Sequence, residues 1–111
     1  MTTNTFRLTT RSLDSTGPPL TVVEVDGEID VTGAQAFAQA IIDVARPATL
    51  ILDLTNLKYL DSAGFAALDR LLSQRPIAVV LEPHSPIRGA VKLVGLRYYD
   101  SVDVAAEALH G

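Results

Sequence analysis

The chain has no cysteine, and its basic residues are in the minority. The absence of cysteine among its 111 residues excludes disulfide bonds, thiolate metal sites and thiol redox switches, and it fits a reducing compartment. Nine Lys and Arg stand against thirteen Asp and Glu, which gives a formal net charge of −4. Domains that bind nucleic acid favour a basic patch. We therefore expect no direct nucleic-acid partner.

Long hydrophobic runs are also missing. No segment approaches the roughly 18 apolar residues that a membrane span requires. The first five residues, MTTNT, have neither a basic flank nor an apolar stretch, so they do not form a signal peptide. We expect a cytoplasmic protein without a membrane partner.

The remaining composition is that of a globular protein. Hydrophobic residues make up 48% of the chain and charged residues 20%, a balance that permits a packed core. A chain of this length can bury such a core without a metal or a disulfide. We predict one domain over residues 1–111, with a structured core at about 6–109.

Hydrophobic periodicity predicts strands that alternate with helices. The predicted strands cover 6–11, 20–25, 50–54 and 77–81, with a short extended piece at 97–99. The predicted helices cover 34–45, 61 to the residue before Pro76, 86–94 and 102–109. Turns are expected at 14–19 and between the strand at 50–54 and the helix at 61. Pro47 is expected to end the first helix, Ser85 and Pro86 to begin the third, and Gly95 to end it.

This order predicts an α/β fold with a mixed sheet of four to five strands, an N-terminal hairpin and about four helices. In open sheets of this kind, functional loops lie at the carboxyl ends of the strands. The turn that precedes Ser62 is such a loop.

A serine stands at the predicted start of a helix, just after a buried strand. The sequence Asp61-Ser62-Ala63-Gly64 follows the apolar run at 50–54. Unpaired N–H groups and the positive end of the helix dipole meet at such a position, so an anion is tolerated there. The Ser62 hydroxyl could therefore accept a phosphoryl group. The simpler alternative is that Asp61 or Ser62 only caps the helix.

Tests for catalysis and cofactor binding give negative results. Leu60 stands where a nucleophile elbow around Ser62 would need its first glycine. His84 and His110, the only candidate bases, lie in a loop and in the terminal tail without a neighbour that would orient them. One glycine, Gly64, does not make a phosphate-binding loop, and no carboxylates or histidines have metal-ligand spacing. We predict neither a catalytic residue, a metal nor a cofactor, and therefore not an enzyme.

Several motifs, taken together, resemble those of one family. Residues 27–30 read GEID before a predicted helix, the apolar strand at 50–54 ends in LDL, and residues 61–64 read DSAG. The segments IR at 87–88, LVGL at 93–96 and DSV at 100–102 continue the pattern. In this order they resemble the STAS domain of bacterial anti-sigma factor antagonists, over about residues 6–109.

The resemblance implies a switch between partners. In that family the serine of the motif is phosphorylated by an anti-sigma factor that is itself a serine kinase, and this serine corresponds to Ser62 here. The unphosphorylated protein would bind the anti-sigma factor and free a sigma factor, as in a stress response. The phosphorylated protein would release the anti-sigma factor. We expect a monomer, with a dimer as the alternative.

The resemblance also suggests residues of the partner site, and it leaves open whether Asp30 and Asp61 position Ser62 or contact the partner. Asp61 and Gly64 match the serine motif, and Asp30 matches the acidic residue of the first turn. Asp69 and Arg70 are expected on the exposed face of the serine helix, at the rim of an interface.

Two alternative functions remain open at this point. A STAS module of another complex, such as a stressosome-like or lipid-transport assembly, would have a similar motif. A small-molecule or nucleotide-binding α/β module belongs to a different class, and no glycine-rich loop favours it. Saturable binding of a nucleotide at micromolar concentration would favour this second alternative, if kinases also act on the Ser62→Ala variant as they do on wild type.

Overall fold

The computed structural model describes residues 5–13, 19–44 and 49–110. Within these ranges the elements are β1 (Phe6–Leu13), β2 (Leu20–Ile29), α1 (Ala34–Val44), β3 (Thr49–Asp53), β4 (Leu57–Leu60), α2 (Ser62–Gln74), β5 (Ile77–Val80), α3 (Arg88–Val94) and α4 (Val102–His110). None of the described helices has the length and apolar character to cross a membrane. Most of the turn predicted at 14–19, and Pro47, lie outside the described residues.

The strands form one mixed sheet. Its order is β1-β2-β3-β5, and β4 pairs with β2 as well. β1 runs antiparallel to β2, whereas β2 pairs with β3 and β4, and β3 with β5, in parallel. Helix α1 connects β2 to its parallel neighbour β3, and the connection from β3 to its parallel neighbour β5 contains β4 and α2; parallel pairs require such crossover connections. The predicted α/β class, N-terminal hairpin and mixed sheet are confirmed.

On the side opposite β1, β2 pairs first with β3 and then with β4, and it is irregular at Gly27. It pairs with β3 as far as Glu24 and with β4 from Gly27 onward, and the register shifts between Gly27 and Glu28. The φ angle of Gly27 is 101°, and a Cβ there would meet the backbone carbonyl of Thr5. Only glycine fits this position without strain. The irregularity brings the end of β2 beside β4, which leads directly into α2.

Helices cover both faces of the sheet. The larger core cluster includes the fully buried Phe37 of α1, Leu52 of β3 and Leu68 of α2. A smaller cluster on the other face joins Ile51 of β3 to Ala105 of α4. β3 is therefore buried on both sides, which explains its continuous apolar sequence.

The sequence interpretation was wrong about one extended segment and correct only in part about another. Residues 57–60, within the predicted short turn, form β4, and the fifth strand expected at 97–99 is reduced to a single bridge between Val80 and Tyr99. In β4, Leu57 and Leu60 are buried while Lys58 and Tyr59 are exposed. This spacing does not alternate with period two, so it gave no strand signal.

The predicted start of the third helix was also wrong. α3 begins at Arg88 after Ile87, whose side chain makes no capping hydrogen bond. Before it, the Ser85 amide donates to the carbonyl of Glu82 at 2.9 Å, so Ser85 belongs to a turn. The buried Ser85 hydroxyl has no hydrogen-bond partner among the described residues. The end of this helix was predicted correctly, because Gly95 has the left-handed conformation with a φ of 80°.

Candidate functional site

The candidate site lies where β2 and β4 end side by side. Ile29 and Leu60 are opposite each other in this parallel pair. The residues that follow, Asp30 and Asp61, therefore leave the sheet together at the carboxyl ends of the two strands. The Asp61 amide donates to the carbonyl of Ile29 at 2.8 Å. Neighbouring strands are about 4.8 Å apart. The two acidic residues predicted from the sequence are therefore neighbours in the fold.

Asp61 caps helix α2. Its backbone is extended, with φ −69° and ψ 163°, and its side chain accepts a hydrogen bond from the Ala63 amide at 3.0 Å. Its carbonyl accepts from Phe65 at 2.9 Å, the first bond of the helix. Because Asp61 fills the capping position, Ser62 is not needed as a cap. The capping alternative thus holds for Asp61 and leaves the serine hydroxyl available.

Ser62 is the first residue of α2, and it is exposed. Its hydroxyl donates to the carboxylate of Asp61 at 3.2 Å. The first N–H groups of a helix have no partner within the helix, and they carry the positive end of its dipole. The hydroxyl is therefore accessible to another protein, and its nearest electrostatic neighbours are one carboxylate and the start of a helix.

Tyr59 is a further member of the site that the sequence interpretation missed. Its hydroxyl donates to the second carboxylate oxygen of Asp61 at 3.4 Å, and 48% of its surface is exposed. In β4 it lies opposite Glu28 of β2. The segment had been interpreted as a turn, so no position was assigned to this side chain. The strand preference of tyrosine was the available signal.

Asp30 organises the loop that connects β2 to α1. One of its carboxylate oxygens accepts from the Thr32 hydroxyl at 2.7 Å and from the amides of Thr32 and Gly33 at 3.0 Å each. The Thr32 hydroxyl, followed by the Gly33 amide, lowers the pKa of Asp30 below its usual value. The loop thus presents a fixed negative charge. Val31 beside it is 66% exposed.

Gly64 does not reach the surface. It is buried in the first turn of α2, where an added Cβ would meet the side chain of Leu60 and lie 3.3 Å from Ile29. Its position lets the helix start pack closely on the ends of β2 and β4. Gly64 therefore supports the site from below, whereas the sequence interpretation expected it in the partner interface.

Asp69 and Arg70 lie further along the same helix, and both are exposed. Asp69 borders a shallow groove of about 240 Å³ between α2 and the end of α3, whose lining includes Phe65, Val94 and Leu96. Residues separated by three, four or seven positions share one side of a helix. Ser62 precedes Phe65 by three positions and Asp69 by seven. The serine and this groove thus lie on the same side of α2.

The residues that the structure describes give little support to a metal site or a serine–histidine pair at Ser62. Within the described ranges, no cluster of three or more His, Asp or Glu could hold a metal ion. His84 lies in a separate cleft of about 490 Å³, together with Asp26 and Lys58. Ser62 does not line this cleft, so the structure does not bring the serine and this histidine together.

Comparisons with known proteins give consistent results. Residues 10–87 match the family model of the STAS domain. The chain is similar to the crystal structure of an anti-sigma factor antagonist from Mycobacterium paratuberculosis, with 30% identity, coverage of 95% of this chain and 96% of that one, and a TM-score of 0.74. It also matches the structure of the Bacillus cell fate determinant SpoIIAA in the phosphorylated form, with 18% identity, coverage of 94% and 98%, and a TM-score of 0.49. A search of the curated proteins finds no match.

Proposed function

Because this chain belongs to the STAS domain family, we propose that it is an anti-sigma factor antagonist controlled by phosphorylation of Ser62. In its unphosphorylated form it binds an anti-sigma factor with serine kinase activity and so frees a sigma factor. Phosphorylation of Ser62 releases the anti-sigma factor. The observation that carries this proposal is the exposed Ser62 hydroxyl at the start of α2, hydrogen bonded to the Asp61 carboxylate.

In this proposal Ser62 is a substrate and the protein is not the catalyst. A protein kinase supplies the catalytic base, the metal ions and the nucleotide, and it needs an accessible hydroxyl from its substrate. Ser62 meets that requirement because it is exposed and stands outside the sheet. Its hydrogen bond to Asp61, at 3.2 Å, is long for two oxygen atoms. The hydroxyl can therefore rotate towards a kinase at little cost.

Phosphorylation would collect negative charge at one edge of the sheet. A phosphate adds about −1.5 to −2 charges, next to the carboxylate of Asp61 and near that of Asp30. In the free protein, water screens these charges. Docking removes water, and the repulsion between two unit charges about 6 Å apart rises from about 0.7 to about 2.8 kcal/mol as the effective dielectric constant falls from 80 to 20. One such pair weakens the complex more than tenfold.

The helix start acts in the opposite direction, but more weakly. The N-terminal end of α2 favours a phosphate by up to about 1 kcal/mol. Docking strengthens this attraction as well, to about 2 kcal/mol in a partly buried geometry, which stays below the repulsion of about 2.8 kcal/mol. The phosphate is thus tolerated in the free domain and disfavoured in the complex. We therefore propose that the switch acts at the partner surface and leaves the fold intact.

The partner surface that we propose surrounds Ser62. Asp30 and Asp61 supply negative charge, and the exposed Val31 and Tyr59 supply apolar contact area at the same edge of the sheet. Apolar side chains that are exposed together add contact area to an interface, whereas single ones are common on any protein surface. Asp69 and Arg70 extend this surface along α2 as its polar rim.

A pull-down from the source cell with wild type, Ser62→Ala and Ser62→Glu tests the proposal. We expect the first two to retain an anti-sigma factor with a kinase domain, and the Glu variant to release it. Incubation of the retained partner with Mg²⁺-ATP should phosphorylate wild type at Ser62 and should not phosphorylate Ser62→Ala.

Ser73 provides the matched control. It is an exposed serine on the same helix, and its hydroxyl donates to the carbonyl of Arg70 at 2.8 Å. Ser73→Glu adds the same charge to α2, about three turns away from Ser62. Ser73→Glu should still retain the partner. Equal retention by all variants, Ser62→Glu included, would refute the charge switch.

A further inference from the structure

The edge of the sheet at β5 is only partly covered. β5 pairs with β3 on one side, and on its other side the chain after α3 meets it at a bridge between Val80 and Tyr99. The Tyr99 amide donates to the carbonyl of Val79 at 2.8 Å, and the Tyr99 carbonyl accepts from Leu81 at 2.9 Å. Backbone groups alternate in direction along a strand. Ile77, Val79 and Leu81 therefore turn their backbone groups towards this edge.

Two of these groups remain unpaired. Over the part of the chain that the structure describes, neither the carbonyl of Ile77 nor the amide of Val79 has a backbone partner at this edge. A regular strand that continued from Tyr99 would have placed Arg97 opposite them. Instead the chain diverges, leaving a groove of about 310 Å³. Its lining includes Leu72, Arg75, Ile77, Val79, Arg97 and Leu109.

The two edges of the sheet differ in how they are protected. An open strand edge invites another strand, and proteins usually guard it with charged side chains. At the opposite edge, β1 carries Arg7 and Arg11, which lie 3.7 Å from Asp26 and Glu24 of β2 respectively. β5 has the sequence IAVV and carries no charge. The charged side chains at this edge, Arg75 and Arg97, come instead from the segments that flank β5 and line the groove.

The charge around the groove favours an acidic ligand. Arg97 is exposed and, among the described residues, has no ion-pair partner, whereas the nearby Arg88 pairs with Asp100 at 2.9 Å. Arginine is well suited to bind carboxylates. Pairing between the β5 edges of two copies of this chain would bring Arg97 of both copies together, and like charges across strands are unfavourable. A second copy is thus the less suitable occupant.

We propose that this groove binds an extended, acidic segment of a partner protein by adding it to the edge of β5. A backbone amide of the segment donates to the carbonyl of Ile77, and a carbonyl of the segment accepts from the amide of Val79. A carboxylate of the segment binds Arg97, and an apolar side chain packs against Leu72 and Leu109. This mode of recognition combines backbone hydrogen bonds with side-chain selectivity.

The groove is separate from the surface proposed around Ser62. Ser62 begins α2, whereas Leu72 is near its other end. Ten residues of helix span about 15 Å. The acidic segment can therefore bind whether or not Ser62 is phosphorylated, and the two proposals can fail independently.

An NMR titration of the ¹⁵N-labelled protein with two capped pentapeptides tests the proposal. One peptide alternates Glu with Val and the other alternates Lys with Val. We expect the acidic peptide to shift the amide resonances of Ile77, Val79 and Arg97 and to slow hydrogen exchange at Val79, while the basic peptide does neither. Arg97→Glu should weaken binding by about fivefold, the effect of losing an exposed ion pair of about 1 kcal/mol. Lys92→Glu, the same charge change on an exposed residue of α3 that does not line the groove, should not.

Several outcomes would overturn the proposal. No shift at Ile77 and Val79 with millimolar acidic peptide would do so, as would equal shifts with both peptides. Shifts at these residues that depend on protein concentration without peptide would assign the edge to a second copy instead. Ser62→Glu should bind the acidic peptide as wild type does, and a loss of binding in that variant would contradict the independence of the two surfaces.

Discussion

The hydroxyl of Ser62 donates a hydrogen bond to the Asp61 carboxylate at 3.2 Å, and the same carboxylate oxygen accepts from the Ala63 amide at 3.0 Å. One carboxylate oxygen thus caps α2 and also orients the exposed hydroxyl. Phosphorylation of Ser62 would remove the donated proton and place a second anion beside Asp61. A change confined to one oxygen atom would thereby alter the electrostatics of a whole surface without altering the helix.

Removal of the cap should destabilise the domain. Asp61→Ala takes the acceptor away from the Ala63 amide, and the loss of such a cap costs about 1 kcal/mol. Asp61→Asn keeps an acceptor, so its effect should be smaller. Urea unfolding followed by circular dichroism measures both. Asp69→Ala, an exposed position further along α2, should change the free energy of unfolding by less than about 0.5 kcal/mol. An Asp61→Ala variant as stable as Asp69→Ala would contradict the capping role.

Two glycine-to-alanine substitutions should have opposite signs. At Gly64 a Cβ would meet Leu60 and Ile29, and the overpacking cost of about 1–3 kcal/mol exceeds the gain in helix propensity of about 1 kcal/mol. At Gly89 in α3 nothing lies within 4 Å of the added atom, so alanine should stabilise by up to about 1 kcal/mol. The urea midpoints of the two variants, compared with that of wild type, show the sign of each change in stability. Stabilisation by both would show that Gly64 is not tightly packed.

The carboxyl group of Asp30 should titrate below 3.8 in the folded protein. Hydrogen bonds from the Thr32 hydroxyl and the Gly33 amide favour its charged form and lower its pKa. Because the pKa of Asp30 is lower in the folded state, its contribution to stability is present above pH 3.8 and is lost as the pH falls through the folded value. Carboxyl ¹³C shifts measure the midpoint. Thr32→Ala should raise the pKa towards 3.8, and Thr32→Ser should not; an equal pKa in both variants would refute the role of the hydroxyl.

Phosphorylation should leave the core unchanged. We expect hydrogen exchange to differ between the phosphorylated and unphosphorylated proteins only at the amides around Asp30 and at the start of α2. The interior amides of β3 and β5 should exchange at the same rates, because the phosphate adds charge at the surface and no contact in the core. Exchange measured by mass spectrometry with peptide resolution is sufficient. Faster exchange in β3 would indicate refolding and contradict a switch limited to the surface.

The start of α2 could be predicted because its determinants are local. A capping aspartate, a serine and a helical apolar pattern all lie within a few residues of Asp61. Gly95 was predicted for the same reason, since a glycine that ends a helix needs only the left-handed conformation observed there. Such features depend on short-range chemistry that a sequence displays directly.

The features that were missed depend on distant partners. β4 is defined by its pairing with the end of β2, beyond the irregularity at Gly27, and within its own four residues only the strand preference of Tyr59 indicated a strand. Tyr99 forms a β-bridge with Val80. Arg88 contacts the same segment twice: it pairs with Asp100, and its guanidinium lies 5.0 Å from the centre of the Tyr98 ring. Position along the chain does not reveal these contacts. The role of Tyr59 beside Asp61 was missed together with β4.

Calorimetric titration of the anti-sigma factor recovered in the pull-down measures the proposed switch most directly. Unphosphorylated protein and protein phosphorylated at Ser62 are compared at the same ionic strength. We expect the phosphorylated form to bind at least about tenfold more weakly, because docking strengthens the repulsion between the phosphate and the carboxylates of Asp61 and Asp30. Added salt screens these charges and should reduce the difference in affinity between the two forms. Equal affinities of the two forms would contradict the proposed function of Ser62.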